Sequence, residues 1–335
     1  MRVIIAFLIS IVLFSCDDNG SKTLPSGNGR EGELLVVADT FYWKGKTGNA
    51  IISTLGRDMD ALPQDEPLFS LFNVEHRNFE KLLQRNINLL LIEIDKNAEN
   101  VKLSKASDLW ATNQIVLKII GKNDQEIANY ILSNSEIIET HFLEAERKRM
   151  RADIRTISDL ALGKKIAEKG IEINIPSGFQ IVEEKGNFVW LKQTLLKQHA
   201  GNSNEIIKNI ILYSEDYVSE TQFDTNYIHQ LRDSLGKNYI VGNKGEYWKT
   251  EYLYNPLFRN FNHNGAYAAS IKGLWKLEGF YMGGPFIQYA ILDEKNAKVW
   301  YAMIFVFCPQ FDKRTYVREL EAVLTGIKFP NSTKS

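Results

Sequence analysis

Apolar and polar positions alternate with two different periods along the chain, and the order in which those periods appear divides it into halves. Leu34 to Ala38 is a compact apolar run of strand type, followed by Gly48 to Met59 with Ile51, Ile52 and Leu55 at helical spacing. Leu68 to Val74 alternates as a strand, and Phe79, Leu82 and Leu83 mark a short helix. Ile87 to Ile94 and Ile115 to Ile120 are apolar enough for central strands. Strands interleaved with helices predict a mixed α/β layer. Asn123 stands three residues before Glu126 as a cap-like start, and Ile127, Ile131, Ile138, Phe142 and Ala145 recur at helical spacing. One long helix is therefore expected as far as Thr156. Ser158 caps a continuation through Ala161, Ile166 and Ala167 that ends at Gly170.

Beyond that helix the period shortens. Ile171 to Ile175 alternates cleanly, Pro176-Ser-Gly178 reads as a turn, and Phe179 to Glu183, Phe188 to Gln193 and Ile206 to Tyr213 read as strands. Asp224 to Leu235 is helical with Gly236 at its end. Tyr289 to Leu292 and Val299 to Phe307 form a hairpin around Asp293-Glu-Lys-Asn296. Asp312 caps a last helix carrying Tyr316, Leu320, Val323 and Leu324, which Gly326 stops before a short strand at Ile327 to Phe329. The expected fold class is α+β in two domains, an N-terminal mixed α/β layer with a long helix and a C-terminal antiparallel sheet covered by helices. The N-terminal domain spans residues 31–157 and the C-terminal domain 158–331. In element order the second half resembles the Mog1 and photosystem-accessory type of sandwich, which by analogy implies a binding or assembly module.

The first residues carry a different signal. Arg2 supplies a positive charge, Val3 to Phe14 is apolar except for Ser10, and Leu13-Phe14-Ser15-Cys16 reads as a lipobox. The run is shorter than the roughly 20 residues that span a bilayer. Residues 1–15 are thus read as a lipoprotein signal peptide, cleaved between Ser15 and Cys16, with Cys16 lipidated. Each buried methylene of an acyl chain contributes about 0.8 kcal/mol, so acyl chains on one cysteine serve as a membrane anchor. Residues 16–30, rich in Gly, Ser, Asn and Asp, read as a flexible tether.

Composition narrows the chemistry. A formal net charge of −1 gives nucleic acid no footing. With Cys16 lipidated, Cys308 is the remaining cysteine and has no intramolecular partner; at the end of the apolar run Val299 to Phe307 it reads as a buried hydrophobe. His76, His141, His199, His229 and His263 each stand alone, without metal-ligand spacing, so neither metal nor other cofactor is expected. No Gly-x-Ser-x-Gly is present. Gly45-Lys46-Thr47 follows a strand and precedes a helix as in a phosphate-binding loop. Thr40 takes the place of its first glycine, and Phe41-Tyr42-Trp43-Lys44 is too bulky to close around phosphates. Glu144 to Arg151 concentrates four basic residues on the long helix, read as a solvated face.

Aromatic residues are concentrated late in the chain: Tyr239 to Phe311 holds 18 of 38 in 73 residues. Tyr247, Trp248, Tyr252, Tyr254, Arg259 and His263 are the candidate ligand surface, mixing stacking faces with hydrogen-bonding groups as glycan- and peptide-binding surfaces do. Taken together, the lipobox, Glu33-Leu-Leu-Val-Val-Ala38 followed by Trp43, the basic helix, Ile175-Pro-x-Gly-Phe179, Gly273-Leu-Trp275, Gly283-Gly-Pro-Phe286 and Tyr316-Val-Arg-Glu-Leu320 carry a resemblance. They resemble a family of Gram-negative envelope lipoproteins known only as a domain of unknown function. The resemblance implies a location in the envelope, in the outer membrane, and assigns no catalytic residue. The expectation is a non-enzymatic module that binds an envelope protein or glycan. Alternatives are a hydrolase with an unrecognised acid pair and a carrier of an apolar ligand.

Overall fold

The computed structural model describes residues 23–330, so Ser15, Cys16 and the signal peptide lie outside the described residues. The N-terminal half comprises β1 (Glu33–Val37), α1 (Thr40–Trp43), α2 (Lys46–Thr54), β2 (Ser70–Val74), α3 (Lys81–Gln84), β3 (Asn88–Ile94), β4 (Lys102–Ser107), β5 (Ile115–Gly121), α4 (Asp124–Ser133) and α5 (Ser135–Thr156). Its five strands order as β2-β1-β3-β5-β4, with β2, β1, β3 and β5 parallel and β4 antiparallel at the edge. Strands β1, β3 and β5 bury both faces. Leu34, Val36, Leu90, Ile92, Leu117 and Ile119 pack under α2, α4 and the start of α5, while Leu35, Val37, Leu89 and Val116 face Phe79, Leu83 and Trp110.

The C-terminal half comprises α6 (Leu160–Ala167), β6 (Gln180–Lys185), β7 (Phe188–His199), β8 (Asn202–Asp216), α7 (Thr225–Tyr239), β9 (Tyr247–Glu251), β10 (Leu257–His263), β11 (Ala266–Glu278), β12 (Phe280–Asp293), β13 (Lys298–Phe307) and α8 (Arg314–Thr325). These strands form an antiparallel sheet ordered β10-β11-β12-β13-β8-β7-β6, with β9 also on β11. The chain is α+β with two sheets, as its hydrophobic pattern predicts. One face of the second sheet is covered by α8, α6 and the end of α5, the other by α7.

Several expectations are corrected. The long helix breaks at Asn134, which ends α4 and begins α5 with φ −120° and ψ 20°, its side-chain amide donating to Tyr130 O at 2.9 Å. Ile171, Ile173 and Ile175 are buried as their alternation requires, but the segment joins no strand: Glu172 exchanges two backbone bonds with Lys328, and Ile175 O accepts from Asp159 N at 2.9 Å. The expected strand at Ile327 to Phe329 is the other side of that bridge. Asp312 does not cap α8. Glu66 of the N-terminal half does, its carboxylate accepting from Lys313 N and Arg314 N at 2.7 Å. Gly236 lies inside α7 rather than at its end, and it serves close approach to β9: a Cβ there would stand 2.2 Å from Trp248 O.

The described part of the expected tether is docked, not free. Thr112 N donates to Pro25 O, Asn28 N to Arg85 O, and Ile87 N to Asn28 O, all at 2.9 Å. Gly27 serves close approach here, since a Cβ would meet the Ile87 side chain at 2.5 Å.

The halves meet along α5. Its buried positions step by about one turn: Ile138 and Phe142 enter the first core, Met150 and Ile154 the second, and Glu146 and Arg149 lie between. Glu146 accepts from Gly32 N at 2.6 Å and from Asn88 at 3.1 Å, and pairs with Arg318 of α8 at 2.5 Å. Arg149 binds both oxygens of Glu31 at 2.8 Å. The basic stretch read as a solvated face is thus partly an ionic seam between domains.

Candidate functional site

The six residues expected to form one ligand surface are distributed over four places. Trp248 is fully buried beneath α7, stacked on Trp275 with centroids 6.4 Å apart and edge-on to Phe286. Strand alternation explains this correction: Trp248 and Thr250 of β9 face the α7 core, leaving Tyr247, Lys249 and Glu251 on the other side. Tyr252 and Tyr254 are exposed in the loop between β9 and β10, where the Tyr252 hydroxyl donates to Asp233 at 2.8 Å. Arg259 and His263 project from β10 on the opposite face of the sheet, into a cleft.

That cleft, about 590 Å³, lies between α5 and the β10–β12 end of the second sheet, beside the C-terminal end of α8. It exists because α8 and the end of α5 cover only part of the sheet face. Arg259, Phe261 and His263 of β10, Ser270 and Lys272 of β11 and Tyr289 of β12 form one wall. The facing wall is a helical stripe of α5 that includes Glu136, Thr140, Leu143, Arg147 and Arg151. Leu143, Phe261 and the ring of Tyr289 are its apolar surfaces; the rest is charged or hydrogen-bonding.

At the floor Glu321 is buried but ionised. Burial pushes its carboxyl up, yet Lys272 at 2.9 Å, Arg147 at 3.7 Å and the Tyr289 hydroxyl at 2.9 Å hold it down at about 2. The same burial and carboxylate push the Tyr289 hydroxyl well above its ordinary range. Glu321 is therefore a fixed anion that positions three donors. His263 Nε2 donates to Ile327 O at 3.0 Å, and burial lowers its pKa, with Arg151 adding to the effect.

Other chemistry fares differently. The amides at the start of α2, where a phosphate would sit, already hold the Asp124 carboxylate: Lys46 N and Thr47 N donate to it at 2.9 Å. A Cβ at Gly45 would meet that carboxylate at 2.7 Å, so the glycine of Gly45-Lys46-Thr47 serves this internal cap. Cys308 is buried, with its thiol pushed up by desolvation. Among the described residues no group of three His, Cys, Asp or Glu could hold a metal ion.

The cleft was not legible as a site because its walls come from α5, β10, β11, β12 and α8. The signal that was available is the stripe Ile138, Phe142, Glu146, Met150, Ile154, in which a carboxylate occupies a core position.

Residues 27–155 match a family described as Domain of unknown function (DUF8532), and residues 159–326, half of the chain, match Domain of unknown function (DUF4837). No curated protein matches the chain. Among solved structures it is similar to the Ran-binding protein Mog1p of Saccharomyces cerevisiae, at 12% identity and a TM-score of 0.32, over 49% of this chain and 92% of that one. A variant of protein Mog1 matches at 11% identity and a TM-score of 0.31, over 49% and 93%. A Bacteroides thetaiotaomicron structure matches at 12% identity and a TM-score of 0.21, over 49% and 47%. By the match over residues 159–326, the chain belongs to the DUF4837 family.

Proposed function

We propose that this chain is an envelope lipoprotein, anchored by acyl chains on Cys16, whose folded part is a non-enzymatic binding module for an envelope protein or glycan. The observation that carries the binding role is the cleft between α5 and β10–β12, to which both domains contribute side chains. Its charged and amide lining suits a hydrophilic ligand and not an apolar cargo. The anchor rests on Arg2, the apolar run to Phe14 and the lipobox ending at Cys16. The exposed Tyr252 and Tyr254 lie outside this site.

Two experiments test the reading. Thr140→Trp places an indole in the cleft from a half-buried position on α5. Immobilised wild-type protein is expected to retain an envelope glycan or protein that the variant loses, at an unchanged melting temperature. Equal retention of every component would remove the cleft from the function. Cys16→Ser is expected to shift the protein from the detergent phase to the aqueous phase on phase separation, and an unchanged partition would remove the anchor.

A further inference from the structure

The charges lining the cleft are segregated along α5. Glu136 and Glu139 come first, Arg147, Lys148 and Arg151 last, with Glu144 one turn before Lys148, and Glu136 to Arg151 extends about 22 Å at the helical rise per residue. The two ends differ in what neutralises them. At the acidic end Glu139 is held by two nitrogens of Arg57 at 3.2 and 3.0 Å, and Glu136 by Arg259 of β10 at 2.6 Å. Those carboxylates are already matched by the protein's own cations.

At the basic end the sheet contributes a fourth cation, Lys272, and the lining carboxylates are Glu321 and Glu144. Glu321 is engaged by Lys272, Arg147 and Tyr289. Among the described residues neither Lys148 nor Arg151 forms an ion pair; the contact of Arg151 is the Thr325 carbonyl at 3.3 Å. The half-buried Arg151 and the exposed Lys148 at the rim, neither of them matched, raise a positive potential where a ligand would enter. Guanidinium and ammonium groups satisfy oxyanions with charge-assisted hydrogen bonds. Asn262, Asn264 and Ser270 stand nearby as neutral polar groups.

We propose that the basic end of the cleft is an oxyanion subsite, in which Lys148 and Arg151, backed by Arg147 and Lys272, seat a carboxylate or phosphoryl group of a hydrophilic ligand extending along α5. This rests on the cleft being the binding site and names the chemistry of what it binds. The two anion sources share the same recognition, and the probes below separate them.

The full-length chain is titrated at constant ionic strength with inorganic phosphate, followed by phosphorus NMR line width, and with glucuronate and glucose, followed by saturation transfer. Binding of either anion is expected, weakened about tenfold in Lys148→Gln/Arg151→Gln, as the loss of charge-assisted bonds requires. The exchange Lys148→Arg/Arg151→Lys keeps both charges and is expected to retain the anion, which separates lost charge from lost fold. Phosphate alone identifies a phosphoryl ligand, glucuronate alone a carboxylate, and both the shared oxyanion. Absence of binding by either anion overturns the subsite. Glucose bound as tightly as glucuronate, with no change in the double variant, also overturns it while leaving the cleft a binding site, which Thr140→Trp tests independently.

Discussion

Glu321 shows how a single side chain ties stability to pH. Its carboxyl is buried, yet Lys272, Arg147 and Tyr289 hold its pKa at about 2, below the ordinary 4.5. Because the folded value is depressed, its contribution is complete above about pH 4.5 and is lost as the pH falls toward 2. His229 acts in a neighbouring window. Burial and the nearby Arg232 lower it to about 4 from 6.5, so the unfolded chain takes up its proton first and stability declines from pH 6.5 to 4. Glu321→Gln is expected to cost about 1–3 kcal/mol near neutral pH, because it leaves the partly buried Lys272 and Arg147 without their carboxylate. That difference should shrink between pH 4.5 and 2 when urea midpoints are compared. Parallel pH profiles for wild type and variant would contradict the assignment. His229→Gln should flatten the segment from pH 6.5 to 4 and leave the lower one unchanged.

Elements follow the hydrophobic pattern where burial decides them and depart from it where a distant group does. Gly236 is the sharpest case. An exposed helical glycine changed to alanine gains about 1 kcal/mol. Here the added methyl would meet Trp248 O, so Gly236→Ala is expected to lose about 1–3 kcal/mol by overpacking α7 against β9. Urea unfolding gives the sign, and a gain would mean that α7 can move away from β9. The central strands β1, β3 and β5 and the hairpin of β12 and β13 were legible because their apolar runs are buried on both faces. Edge strand β4 was not, since its residues Lys102 to Ser107 are mostly exposed and polar. The cap of α8 was also illegible: Glu66 lies far away in sequence, whereas Asp312 stands next to the helix start and is the local candidate. Of the expected surface, Arg259 and His263 reach the cleft, while Trp248 was misassigned because no single stretch shows which face of β9 a helix covers.

At the scale of the whole molecule, the seam makes the two domains dependent on each other. Glu66 caps α8, Arg314 donates to Pro67 O and to Ser70, and Arg318 joins Glu146 at 2.5 Å while donating to Leu68 O at 2.5 Å. A helix whose apolar face belongs to one core thus has its cap, and the carboxylate that pairs with Arg318, in the other domain. Removing one member of a buried pair leaves an uncompensated charge, which costs about 3–5 kcal/mol, whereas replacing both can cost little. Glu146→Met and Arg318→Met are therefore each expected to be strongly destabilising. The double variant should fall short of their sum by at least about 1 kcal/mol, a coupling read from a double-mutant cycle. The same seam predicts that amides of β3 and β13 exchange by one global opening in the wild type and by separate openings in Arg318→Met. Separate openings already in the wild type would mean that the seam does not couple the domains. The cleft they form would then have walls that open independently of each other.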